Sequence, residues 1–177
     1  GKTLSAAKFL LDSVLEGTND SVLWMAPHKE LLFQAASTFK KLQKFYRFSK
    51  LTVPDEDDVV YDKQPTNGNV KFRTIQAANS EERKVLPSPK VVVIDEAHWG
   101  ASYSCQMIPR IKRKYPNAFL LGLTGTPFRK EVDELLGLSK LYGKLIHKDF
   151  ETLKDTKNSE GLNVFAKVIP DQVKTGF

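Results

Sequence analysis

The chain has 177 residues, 41% hydrophobic and 27% charged, enough apolar surface for one sizeable core and little for a second. Lys and Arg number 27 against 21 Asp and Glu, a formal net charge of +6, which favours approach to a polyanion such as nucleic acid. One cysteine, Cys105, excludes an internal disulfide framework and a cysteine-built zinc site, and with no apolar run near the roughly 20 residues that span a bilayer and no secretory signal pattern, we expect an intracellular, cytoplasmic location and no membrane partner.

Leu4, Ala7, Leu11 and Val14 recur at helical spacing, so a first helix is expected over residues 2–16. Residues 21–25 are short and apolar and are followed by Pro27, which reads as a strand. A second helix over residues 29–47 would bury Leu31, Leu32, Ala35, Phe39, Leu42 and Tyr46 and leave Lys40, Lys41, Lys44 and Arg47 outside. Residues 54–69, with four consecutive acidic positions, two prolines and Asn67-Gly68, read as an irregular surface connection. Residues 70–75, 90–94 and 118–123 read as further strands, the last two nearly continuous in apolar character, as buried parallel strands are. Between them Tyr103, Met107, Ile111 and Tyr115 fit a helix in which Pro109 marks either a kink or a fresh start. Alternating strands and helices predict an α/β fold with a mostly parallel sheet between helices.

The strongest chemical element is Val91-Val92-Val93-Ile94-Asp95-Glu96-Ala97-His98, an apolar strand that delivers two carboxylates at its C-terminal end, where open α/β sheets place ligands. An Asp there can hold the magnesium of a nucleotide, and the adjacent Glu can orient or deprotonate an attacking water. Gly1-Lys2-Thr3, directly before the first helix, matches the last three residues of a phosphate-binding loop: Lys2 would reach the phosphates and Thr3 would ligate magnesium. Thr124-Gly125-Thr126-Pro127 places hydroxyls at another strand end, within reach of His98 or the carboxylates. Pro27-His28-Lys29 joins a strand end to a helix N-terminus suited to a phosphate, and Thr74-Ile75-Gln76 offers a hydroxyl and an amide to a nucleic-acid backbone.

In this order the five elements resemble motifs I, Ia, Ic, II and III of superfamily-2 helicases and translocases. The Asp95-Glu96-Ala97-His98 box followed by Gly122-Leu123-Thr124-Gly125-Thr126-Pro127-Phe128-Arg129 looks like the group of type III restriction-enzyme motor subunits and XPB-like DNA helicases. The resemblance implies a RecA-like ATP-binding lobe over residues 1–130, cut short at its start, with residues 131–177 closing the lobe and leading toward a second RecA-like lobe. It implies ATP and magnesium as cofactors. Gly1, Lys2, Thr3, Asp95 and Glu96 would bind the nucleotide, with Thr3 and Asp95 on the metal. Lys2, Asp95, Glu96 and His98 would carry catalysis, and His98, Thr124 and Thr126 would couple hydrolysis to movement. Pro27, His28, Lys29, Thr74 and Gln76 would grip the backbone of DNA or RNA, DNA being favoured. Gly125 stands where alanine is more usual, and His28-Lys29 where Thr-Arg is common.

Such a lobe alone is expected to be inactive or weak, because the arginine finger comes from the second lobe. Two other readings stay open: a non-hydrolysing helicase-like binding or scaffold module, and a phosphate-loop NTPase that moves no nucleic acid.

Overall fold

The computed structural model describes residues 1–15, 20–46, 52–60, 64, 68–80, 86, 88–98, 107–125 and 142. The chain divides into two compact units, Gly1–Gly125 and Thr126–Phe177; apart from Tyr142, residues 126–177 fall outside the described residues, as does Tyr103.

In the first unit the elements run α1 (Lys2–Ser13), β1 (Val22–Ala26), α2 (Lys29–Gln43), α3 (Glu56–Val60), β2 (Val70–Thr74), α4 (Ile75–Ser80), β3 (Val91–Asp95), α5 (Met107–Lys114) and β4 (Phe119–Leu123). The strands form a sheet of order β2-β1-β3-β4 with every pairing parallel. β1 and β3 lie inside it, and all ten of their residues are buried, which is why their sequences are continuously apolar rather than alternating.

One face of the sheet presents Val22, Trp24, Ala26, Val70, Phe72, Val91 and Val93 to a core shared with Ala7, Leu10 and Leu11 of α1 and Leu32, Ala35, Ala36 and Phe39 of α2. Phe39 meets Trp24 and Phe72 edge to face, at centroid distances of 5.6 and 6.0 Å, a favoured aromatic geometry. The period of two along each strand sends Met25, Ile94 and their like to the opposite side, where α4 and α5 pack on one another and bury Ile75, Ala78, Ile111 and Tyr115. Leu4 departs from the expected stripe and is 51% exposed.

Within residues 54–69, expected to be an irregular connection, the described residues 56–60 form a short helix. Asp55 and Asp58 cap α3 reciprocally, the Asp58 N–H donating to Asp55 Oδ1 at 2.9 Å and the Asp55 N–H to Asp58 Oδ2 at 3.3 Å, a capping box. Val53 and Val59 are then buried. Pro109 lies in the first turn of α5 as described, Met107–Lys114, a position where its missing N–H has no carbonyl within those residues to meet.

Candidate functional site

Because the strands run parallel, their C-terminal ends share one rim. β3 ends there in Asp95, 2% exposed, and Glu96, Ala97 and His98 form the following turn. Burial pushes the Asp95 carboxyl above its ordinary value and the Glu96 charge adds to the rise; the Glu96 N–H, donating to Asp95 Oδ1 at 3.0 Å, and the Lys2 charge hold it partly down. The turn depends on a left-handed backbone at Glu96, φ 51°, which costs an L residue roughly 1–2 kcal/mol and is a conformation that clusters at functional sites. Just beyond it the Ala97 N–H donates to Leu123 O at 2.8 Å, tying the turn to β4.

α1 starts at Lys2 with Gly1 as its N-cap and no side-chain cap, so its first-turn N–H groups point out of the helix without carbonyl partners of their own. Lys2 Nζ ion-pairs with Glu96 Oε1 and stands 3.9 Å from Asp95 Oδ1, across 94 positions of sequence. Thr3 lies half-buried in the same turn. The second Glu96 oxygen is 3.2 Å from His98 Nδ1, and that nitrogen is 2.7 Å from Thr124 Oγ1. A hydrogen on Nδ1 serves both oxygens, whereas a bare nitrogen would face the Glu96 carboxylate lone pair to lone pair; the geometry thus favours the Nδ1–H tautomer. Gly125 adjoins the same cation: a Cβ there would meet Lys2 Nζ at 3.9 Å, an ordinary contact. The space would also accept the more usual alanine.

Lys2, Asp95, Glu96, His98 and Thr124 thereby form one network, although the sequence carries them in three separate segments. The second expected group sits at the neighbouring strand ends. Ala26 and Thr74 are paired across β1 and β2, which brings residues 27–29 beside 74–76 on the rim. Pro27 is buried, while His28, Lys29 and Gln76 are exposed. Thr74 Oγ1 accepts the Ala77 N–H at 3.2 Å and so caps α4, leaving its own hydrogen to donate. The left-handed Glu96 was not foreseen from sequence, since glutamate carries no preference for positive φ.

Asp95→Asn keeps an acceptor for the Glu96 N–H and removes the buried charge. Since burial raises the folded-state value, the charged form is a cost that is absent below the ordinary 3.8 and grows as pH rises through the raised value. Without nucleotide the variant should melt above the wild type at neutral pH, and the two curves should converge in acid below 3.8. A lower melting point for the variant at neutral pH would mean that attraction to Lys2 outweighs burial.

Residues 1–129 match the family model described as type III restriction enzyme, res subunit. A curated relative, the ATP-dependent DNA helicase mph1 of Sclerotinia sclerotiorum, is 26% identical over 133 residues, covering 72% of this chain and 11% of the relative. Among solved structures, the Hef helicase domain of Pyrococcus furiosus superposes with a TM-score of 0.60 at 21% identity, over 88% of this chain and 33% of that one. The chain thus spans about a tenth of the length of the curated relative. Its parallel sheet between helices is the α/β RecA-like fold, and the chain belongs to the type III restriction enzyme res-subunit family, as a superfamily-2 helicase motor lobe.

Proposed function

We propose that this chain is the ATP-binding lobe of a nucleic-acid-dependent ATPase, and that the network of Lys2, Asp95, Glu96 and His98 is its hydrolytic site. The observation that carries the reading is the convergence of Lys2 on both carboxylates at the strand ends, beside a helix N-terminus able to receive phosphate. Triphosphate oxygens would compete with Glu96 for the Lys2 ammonium. Glu96, released from Lys2 and still held on one oxygen by His98, would then orient an attacking water and take its proton. The ionised Asp95 and Glu96 carry two negative charges against one on Lys2, and the Thr3 hydroxyl and Asp95 carboxylate are hard oxygen donors, so these residues fit magnesium. When bound, the ion would neutralise charge on the phosphates as the terminal group leaves. Thr124, hydrogen-bonded to His98, gives β4 a means of sensing whether Glu96 is engaged, and Thr126 belongs to the same proposed coupling segment.

Pro27, His28, Lys29, Thr74 and Gln76 would form the contact with one nucleic-acid strand, Pro27 by shaping the turn and the others by polar contact. The DNA named for the mph1 relative supports DNA over RNA. The solved Hef chain is about three times the matched length, which supports a second RecA-like lobe in the full-length protein. An arginine supplied from there would be worth 10³- to 10⁵-fold in roughly the sense known for related phosphoryl transfers, so this lobe alone should turn over ATP weakly. A scaffold module without hydrolysis is the alternative, and the intact carboxylate pair with its Lys2 and His98 partners speaks against it.

The test uses the full-length protein. Nucleic acid should stimulate its ATP hydrolysis, and Lys2→Ala should abolish nucleotide binding. Unaltered nucleotide affinity in Lys2→Ala overturns the site, and ATP hydrolysis indifferent to DNA and RNA overturns the motor reading.

A further inference from the structure

α5 holds four cations, Arg110, Lys112, Arg113 and Lys114, and no acid, a charge of +4 within a chain whose total is +6. The helix is fixed by its apolar side: Ile111 and the adjoining Tyr115 are 1% and 4% exposed. Lys114 is used internally, its Nζ donating to Ala78 O of α4 at 3.0 Å. Arg110, Lys112 and Arg113 are exposed, and among the described residues none of them forms an ion pair with a carboxylate.

The other basic face is built differently. Lys40 and Lys41 of α2 and Lys44 just beyond its end line a groove of about 330 Å³ whose opposite side is Asp55, Glu56 and Asp57 at the start of α3. Its field is answered at short range by the chain itself. Among the described residues no carboxylate pairs with the exposed α5 cations, and a cluster of like charges facing solvent attracts a polyanion. α5 also adjoins α4, whose first turn carries Gln76 of the rim contact.

We propose that Arg110, Lys112 and Arg113 form a second contact for the phosphate backbone of the bound nucleic acid, separate from the rim around Lys29. The inference rests on the motor reading above and extends its binding surface. Cations in a last helical turn also complement the helix dipole, so the deciding measurement is one that a purely structural role does not move. Each phosphate contact contributes about −0.9 to the slope of log K against log salt for duplex DNA.

The full-length protein carrying Arg110→Gln, Lys112→Gln and Arg113→Gln, substitutions that keep helix propensity, is titrated against two unrelated DNA duplexes at several salt concentrations. The slope should become shallower by about 2 to 3, with a loss on the order of 10²-fold at 0.1 M salt that is equal for both sequences. Arg110→Lys with Arg113→Lys should retain binding. An unchanged slope overturns the proposal, whether or not the melting point falls. If Lys29→Ala still weakens binding in that case, the motor reading survives and the α5 contact alone is wrong; if the wild-type protein binds neither duplex nor single strand, both fall.

Discussion

Glu96→Gln should leave ATP affinity nearly unchanged and reduce kcat roughly 10²- to 10⁴-fold, the range typical of a lost general base. The amide matches the carboxylate in size but has a single acceptor oxygen where the carboxylate has two, so it can keep the Lys2 or the His98 contact and not both, without a steric disturbance. What disappears is the capacity to take a proton from water. Reduced attraction to Lys2 should also free that cation for phosphate, so any change in affinity should be toward tighter binding. Equilibrium nucleotide binding and single-turnover hydrolysis, measured side by side in the full-length protein, separate these effects. Undiminished kcat would remove Glu96 from the chemical step. Lost binding would show that the substitution had collapsed the network instead.

The largest expected effect on stability comes from a residue remote from this site. β2 is an edge strand of the described sheet, and its outward backbone groups at Phe72 are met by a single side chain. Gln64 Nε2 donates to Phe72 O at 2.7 Å, and the Phe72 N–H donates to Gln64 Oε1 at 2.8 Å, while Lys71 Nζ donates to the Gln64 backbone O at 3.1 Å. The carboxamide imitates one peptide unit of a neighbouring strand, which closes an edge that would otherwise invite pairing with another chain. Gln64 and Lys71 are 8% and 5% exposed, so water cannot readily replace these bonds. Gln64→Ala should destabilise the fold by about 2–4 kcal/mol, from two buried backbone groups left unpaired at about 1–2 kcal/mol each, the lower part of the usual range because they lie at a sheet edge. In thermal melts this is a fall of roughly 5 to 15 °C. Gln64→Glu should recover stability in acid, because only a protonated carboxyl can donate to Phe72 O. Melting of Gln64→Ala within a degree or so of the wild type would show that the edge is satisfied in another way.

Local patterns in the sequence were sufficient for the parallel sheet, the carboxylate-bearing strand and the helix that begins at Lys2. The reason is that burial writes itself into periodicity: a strand buried on both faces is apolar at every position, as Val91 to Ile94 are, and a covered helix repeats its apolar residues every three or four positions. The short α3 left too weak a trace, since among the described residues from 52 to 59 just Val53, Pro54 and Val59 are buried, although the Asp55-x-x-Asp58 spacing carried its capping signal. Other features depend on segments distant in sequence. That Lys2 would meet Glu96, that a glutamine would stand in for a strand at Phe72, and that acids beside α3 would face the cations of α2 while, among the described residues, the exposed cations of α5 pair with no carboxylate are consequences of how crossovers bring the elements together. Charge and hydrogen-bonding capacity are written residue by residue, but which donor finds which acceptor is decided by the path of the chain between them.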